Sequence, residues 1–152
     1  MRAVCRKSRA GFPADNLAHL SKCETLYIDC TFKTCPKLFT QVFTIHCLVE
    51  NFVVPLVYVL LENKSCKTYF EMFNCLRVEM ANHMLGLNPR RMVSDFESGL
   101  IETVRLQFPN TLHVGCHFHF AQAVWRKSRI WDWLQHILMT SADDEKLRDM
   151  KP

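Results

Sequence analysis

The sequence predicts an α/β fold in which one mixed sheet of about five strands, three antiparallel and then two parallel, carries helices on its faces. Three stretches rich in β-forming residues follow one another with short connections, which is typical of an antiparallel meander. Helical and β-type stretches then alternate, and a strand–helix–strand unit forms a parallel pair with a right-handed crossover. At 152 residues the chain is long enough for one domain with a substantial core.

The strands are predicted from β-forming residues and from the prolines that interrupt them. The first, TLYIDCTFK, is rich in large β-formers and is followed by Pro36, which has no amide donor. The second alternates in the way that a half-buried strand does. Pro55 in the third favours an edge position or a bulge. The five strands are predicted at residues 25–33, 38–50, 52–62, 92–95 and 112–116.

The helices are predicted from apolar residues at helical spacing. Ser65 is the predicted N-cap of the main helix, and Gly86 and Pro89 are predicted to end it. Its apolar stripe, which predicts a core-facing side, consists of Tyr69, Met72, Phe73, Leu76, Met80 and Met84. The remaining helices are predicted at residues 14–23, 100–108 and 121–139.

Charge divides the chain into three segments. Residues 1–24 are a basic segment with a short helix, residues 25–140 form the core, and residues 141–152 are a charged tail. The basic side chains of the first twelve residues are typical of a solvated terminus or of an arm that contacts phosphates. The net charge of +4 is a mild excess that is compatible with a nucleic-acid partner.

Cysteine usage and hydrophobicity predict an intracellular protein that does not span a membrane. The chain has eight cysteines, none in a Cys-x-x-Cys pair, and it starts without a secretory signal, so we expect reduced thiols. The longest apolar run, Phe52–Leu61, contains Pro55 and is shorter than the about 20 residues that a bilayer requires. We therefore expect a nuclear or cytoplasmic protein, with homo-oligomer formation left open.

In two of the predicted strands the apolar run ends on an acid, which is Asp29 in the first strand and Asp95 in the fourth. Each carboxylate alone is explained by capping the turn after its strand. If the two strands are neighbours, however, both carboxylates lie at one edge of the sheet, where they repel unless a cation lies between them. Mg²⁺ and Mn²⁺ prefer hard oxygen ligands, and a two-metal site activates water against a phosphodiester. The pair therefore predicts a divalent-metal site.

Further polar residues near this edge have two interpretations each. Glu97 is an accessory ligand or an acid that stabilises the N-terminus of the next helix. Cys116 and His119 form half of a zinc site, although a packed thiol and a hydrogen-bonded histidine are the alternative that we expect. Four basic residues are candidate contacts to DNA phosphates or parts of a solvated surface. They are Arg90, Arg91, Arg126 and Lys127.

Five segments in order resemble the transposase domain of Mutator-like elements over residues 26–127. They are YIDCTFK, PKLFTQVFTIH, VPLVYVLLENK, SDFESGLIETVRLQFPN and GCHFHFAQAVWRK. The resemblance implies a ribonuclease-H-like fold and an Asp-Asp-Glu metal triad with Asp29 and Asp95 as its first two acids. It also implies Mg²⁺ or Mn²⁺ as the cofactor and DNA at transposon ends as the partner. Cys116 and His119 match the Cys-x-x-His of the family.

The resemblance also marks a departure from the family. The family's third acid, a Glu on a late helix, has no counterpart in that context, because Glu145 lies in the charged tail that ends at Pro152. We therefore expect a C-terminally truncated core, incomplete in its last helices. Metal-dependent DNA cleavage and strand transfer would then be impaired in the isolated chain. The alternative is a non-catalytic remnant of a domesticated transposase that binds DNA or another protein.

Overall fold

The computed structural model describes residues 4–5, 8–31 and 35–131, which belong to two compact units with their boundary between Cys116 and His117. The second unit is helical from residue 117 to residue 131. The first unit contains the strands β1 (Val4–Cys5), β2 (Ser8–Gly11), β3 (Thr25–Thr31), β4 (Gln41–Val49), β5 (Phe52–Leu61), β6 (Arg91–Ser94) and β7 (Leu112–Gly115). Its helices are α1 (Ala14–Lys22), α2 (Cys66–Asn82) and α3 (Ser98–Gln107).

The strands form one sheet in the order β1-β2-β5-β4-β3-β6-β7. β3, β4 and β5 are antiparallel neighbours, whereas β6 and β7 are added in parallel on the other side of β3. This arrangement confirms the predicted fold class, because three antiparallel strands are followed in the chain by two parallel ones. It also gives β3 a parallel neighbour, which the predicted metal site requires.

Two short N-terminal strands extend the sheet beyond the five that the sequence predicts. β2 pairs antiparallel with β5, from Ser8 opposite Leu61 to Gly11 opposite Tyr58, and β1 pairs with β2. Ladder hydrogen bonds are made by backbone groups, so these strands form without an alternating pattern of side chains. The expectation of a solvated terminus therefore does not hold for residues 8–11.

The end of α2 corrects the predicted apolar stripe. The stripe is buried as far as Met80, but the helix ends at Asn82 and the side chain of Met84 is 95% exposed. The amide of Met84 donates to the carbonyl of Ala81, and the amide of Leu85 donates to that of Met80. With a φ of 57° at Met84, these bonds form a Schellman motif that turns the chain before Gly86. Met84 consequently leaves the core-facing side.

The N-terminal ends of α2 and α3 lie against each other. Ser65 caps α2 as predicted, and its Oγ accepts a hydrogen bond from the amide of Thr68 at 3.2 Å. Glu97 occupies the N-cap position of α3. A Cβ atom on Gly99 would lie only 2.5 Å from the carbonyl oxygen of Lys64, so the absence of a side chain at this position permits the close approach. The approach brings Lys64 beside Glu97.

Candidate metal centre

The carboxyl ends of β3 and β6 form the edge of the sheet on which the two predicted acids lie. The strands are parallel neighbours, and the last paired residues are Tyr27 and Val93. The condition that the predicted metal site places on these two strands is therefore met. The same register, continued by two residues, puts Asp29 at the level of Asp95.

Asp95 lies in a cluster of three potential ligands with Cys30 and Glu97. The Sγ atom of Cys30 and one carboxylate oxygen of each acid lie within 4.8 Å of one another. Asp29 precedes Cys30 in β3, so their side chains point to opposite faces of the sheet, with Cys30 buried and Asp29 half-buried. Among the residues that the structure describes, Asp95 and Glu97 are thus brought together in this cluster, and Asp29 stays a predicted ligand outside it.

Both carboxylate oxygens of Glu97 have partners at the start of α2, one in its first turn and one just before its N-cap. Its Oε1 accepts a hydrogen bond from the hydroxyl of Tyr69 at 2.8 Å, and its Oε2 lies 3.5 Å from Nζ of Lys64. The backbone amide of Glu97 donates to Oδ1 of Asp95 at 3.4 Å. Although Glu97 is the N-cap of α3, its side chain makes no capping hydrogen bond. The predicted helix-terminus role of Glu97 therefore lacks the bond that would support it most directly.

Burial and negative charge keep the thiol of Cys30 protonated. Burial is the largest cause that raises its pKa, and the charges of Asp95, Glu97 and Asp29 raise the pKa further. The cluster therefore offers one buried sulfur atom beside the oxygens of two acids. Sequence reasoning missed Cys30 as a residue of the site, because alternation along the strand puts it on the other face from Asp29.

Cys30 is expected to resist alkylation by iodoacetamide in the folded protein at about pH 8, because the thiolate is the reactive form. Mass spectrometry of the cysteine peptides after a short exposure measures the labelled fraction of each thiol. The half-buried Cys35 is the internal control, and in urea both thiols should be labelled to the same extent. Labelling of Cys30 in the folded protein as fast as that of Cys35 would show that the thiol is not protected.

Ser94 and His113 hold the backbone that presents Asp95. Ser94 is fully buried, and its hydroxyl donates to the carbonyl oxygen of Asp95 at 2.9 Å. Nε2 of His113 lies 2.8 Å from the same hydroxyl. Burial lowers the pKa of His113, while the charge of Asp95 acts in the opposite direction. A neutral imidazole that donates from Nε2 fits this arrangement, because the hydroxyl proton of Ser94 is already used.

Cys116 and His119 belong to different units of the structure. Cys116 follows β7, and its backbone amide donates to the carbonyl oxygen of Ser94 at 2.6 Å. His119 lies in the first turns of the helix that starts at residue 117, and its ring centroid is 5.6 Å from that of Phe118. The accessory role that the resemblance implies for this pair stays a prediction.

The four predicted DNA-contact residues lie in two places. Arg90 and Arg91 are at the amino end of β6, and Arg91 is about 13 Å along the strand from Asp95 at roughly 3.3 Å per residue. Arg126 and Lys127 lie on the helix of the second unit. Arg90 and Arg91 are therefore at the opposite end of β6 from the acids, and the structure does not bring them to the site.

The fold and the acidic edge together define a class of protein. A mixed sheet in which β3 and its parallel neighbour β6 carry acids toward their carboxyl ends is compatible with the ribonuclease-H-like fold of metal-dependent transposases. The chain belongs to the family described as the MULE transposase domain, whose family model matches residues 25–123. No curated protein matches the chain. Among the helices that the structure describes, none is both long and apolar enough to cross a membrane.

A transposase domain generally depends on divalent metal ions, and the residues at this edge fit such an ion. Asp95 and Glu97 offer hard oxygen donors close together. Within the described part of the chain, the buried Oε2 atom of Glu97 accepts no hydrogen bond, and its neighbour is Nζ of Lys64 at 3.5 Å. With two carboxylates and one buried thiol, the donor set fits Mg²⁺ or Mn²⁺ better than a soft metal ion.

Proposed function

We propose that this chain is the DNA-cleaving core of a transposase, with Asp29 and Asp95 as the principal carboxylates for Mg²⁺ or Mn²⁺. The observation that supports the proposal is the parallel pairing of β3 and β6, because it brings the carboxyl ends of the two strands that carry these acids to one edge of the sheet. Divalent ions held there would supply activation of water and stabilisation of the leaving oxygen of a phosphodiester. DNA at transposon ends is the proposed substrate, and the nucleus is the proposed site of action.

Other residues of the chain are proposed to support this chemistry without taking part in it. Ser94 and His113 fix the chain around Asp95. Arg126 and Lys127 are the proposed contacts to DNA phosphates, which would make binding sensitive to salt. We also propose that cleavage by this chain is slow, because no residue matches the third acid of the family in its expected context.

The test is nicking of supercoiled plasmid DNA by the full chain with Mn²⁺, Mg²⁺ or a chelator. We expect slow nicking that requires the metal and that falls by about 100-fold or more in Asp29→Asn and in Asp95→Asn, since each removes a charged ligand. Asp15→Asn, which changes an exposed acid in the first turn of α1, is the matched control and should nick like the wild type.

A second measurement separates catalysis from binding. Fluorescence anisotropy of labelled duplex DNA over a range of salt concentrations reports DNA affinity whether or not the strand is cut. Salt-dependent binding without nicking at any metal concentration would refute the enzymatic proposal and would favour a non-catalytic DNA-binding protein. Nicking that persists in Asp95→Asn would show that the metal is held elsewhere.

A further inference from the structure

Glu97 is held in a way that its position in the fold does not explain. An N-cap acid ordinarily accepts hydrogen bonds from the first amides of its own helix. The side chain of Glu97 makes no such bond, and instead its carboxylate lies against α2, where it is 12% exposed. Holding a carboxylate away from water is costly unless its oxygens find other partners. The arrangement therefore needs a reason other than capping.

A buried pair of polar side chains fixes one oxygen of Glu97. Tyr69 and Gln41 are both fully buried. The Nε2 group of Gln41 donates to the hydroxyl oxygen of Tyr69 at 2.6 Å, and that hydroxyl donates to Oε1 of Glu97 at 2.8 Å. The phenol oxygen of Tyr69 accepts the hydrogen bond from Gln41, and its own proton is therefore donated to Glu97. A phenol is protonated at neutral pH, so Tyr69 is a donor to this carboxylate.

The second oxygen of Glu97 has an electrostatic partner in Lys64, whose Nζ lies 3.5 Å from Oε2. Oε2 is buried and accepts no hydrogen bond from the residues that the structure describes. A carboxylate oxygen of Asp95 lies within 4.8 Å of the Glu97 carboxylate. Two acids so close repel each other unless positive charge lies between or beside them, and a single lysine ammonium balances only one of them. The cluster thus favours the entry of a further cation.

We propose that Glu97 is an additional oxygen ligand of the divalent cation beside Asp95. Tyr69 and Gln41 are positioning residues, because they hold Oε1 and so orient Oε2 toward the ion. This inference rests on the proposed function for the identity of the cation. Hydrogen bonds that orient a ligand carboxylate contribute to metal affinity, since they fix the ligand before the ion binds. The family's third acid is a separate residue, so Glu97 adds to the ligand set rather than replacing that acid.

The experiment measures Mn²⁺ affinity of the full chain directly, by electron paramagnetic resonance of free Mn²⁺ in a titration without DNA. We expect Glu97→Gln to weaken Mn²⁺ binding by about 10- to 100-fold and Tyr69→Phe by about tenfold. Tyr69→Phe removes only the hydroxyl and leaves the ring in the core. Thermal unfolding without metal is recorded for each variant, so that a loss of folded protein is not read as a loss of affinity.

Matched controls test whether the effect is local to the site. Tyr58→Phe removes the hydroxyl of a half-exposed tyrosine on β5, and Glu102→Gln neutralises an exposed acid on α3. Both should keep Mn²⁺ affinity within about twofold of the wild type, because neither residue belongs to the cluster. An equal loss of affinity in Tyr58→Phe would overturn the positioning role of Tyr69.

The outcome also separates this inference from the proposed function. If Asp95→Asn abolishes Mn²⁺ binding while Glu97→Gln and Tyr69→Phe bind like the wild type, Glu97 is not a ligand, and the proposed function still stands. If Asp95→Asn binds Mn²⁺ with unchanged affinity, the proposed function fails at its metal site. A loss in Glu97→Gln without a loss in Tyr69→Phe would leave Glu97 as a ligand and refute the positioning pair.

Discussion

Phe73→Ala is expected to lower the free energy of unfolding by about 3–5 kcal/mol, the cost of deleting a large aromatic side chain from a packed core. Phe73 is fully buried on α2, and its ring centroid lies 6.1 Å from that of Phe43 and 5.2 Å from that of Phe108. Alanine favours helix, so the loss comes from the cavity and not from α2 itself. Since domains of this kind are stable by about 5–15 kcal/mol, much of the total would be lost.

Urea denaturation followed by circular dichroism measures this change. The matched control is Phe70→Ala, because Phe70 lies on the same helix but is 40% exposed. We expect this control to cost less than about 1 kcal/mol, as surface substitutions commonly do. Equal losses in the two variants would mean that the ring contacts among Phe43, Phe73 and Phe108 do not hold the helices to the sheet.

Gly99→Ala is expected to destabilise the protein by about 1–3 kcal/mol, the usual cost of overpacking. The added Cβ would lie 2.5 Å from the carbonyl oxygen of Lys64 and 3.1 Å from the amide nitrogen of Cys66. Both atoms are backbone, so the two helix ends must separate to admit the methyl group. The direction of the change in stability tests the close approach, because the same substitution inside an unhindered helix stabilises by up to about 1 kcal/mol.

Thermal unfolding of Gly99→Ala and of the control Gly86→Ala provides the measurement. A Cβ on the exposed Gly86 would meet only the side chain of Asn88, at 3.2 Å, so this control should stay within about 0.5 kcal/mol of the wild type. Wild-type stability in Gly99→Ala would indicate that α2 and α3 are free to move apart.

Much of the fold follows from patterns that are local in the sequence. The helical spacing of Met72, Phe73 and Leu76 marked α2 because a periodic apolar stripe needs no knowledge of the rest of the chain. Met84 continues the apolar spacing in the sequence but lies beyond the end of the helix. Its positive φ belongs to the hydrogen-bonded helix end, which the apolar spacing does not reveal. The pairing of Ser8–Gly11 with β5 could not be predicted from the side-chain pattern, because backbone groups make its hydrogen bonds.

The candidate site was predictable only in part. Asp95 was found because it ends an apolar run, whereas the adjacency of its strand to β3 was only a condition for the site until the structure supplied it. Gln41 and Tyr69 were not predicted as residues of the site. Each lies in the apolar pattern of its own strand or helix, and the two side chains meet only in the folded chain. One signal was present, since the hydroxyl of a fully buried tyrosine must find a hydrogen-bond partner.

The attachment of β2 to β5 bears on how the protein can be expressed. The family match starts at residue 25, but β2 and the buried side chains of Phe12, Leu17 and Leu20 precede it. A recombinant fragment trimmed to the matched region would leave β5 with an uncovered row of amide and carbonyl groups, a template for strands of other molecules. Such a fragment would retain Asp29 and Asp95 and yet collect in inclusion bodies.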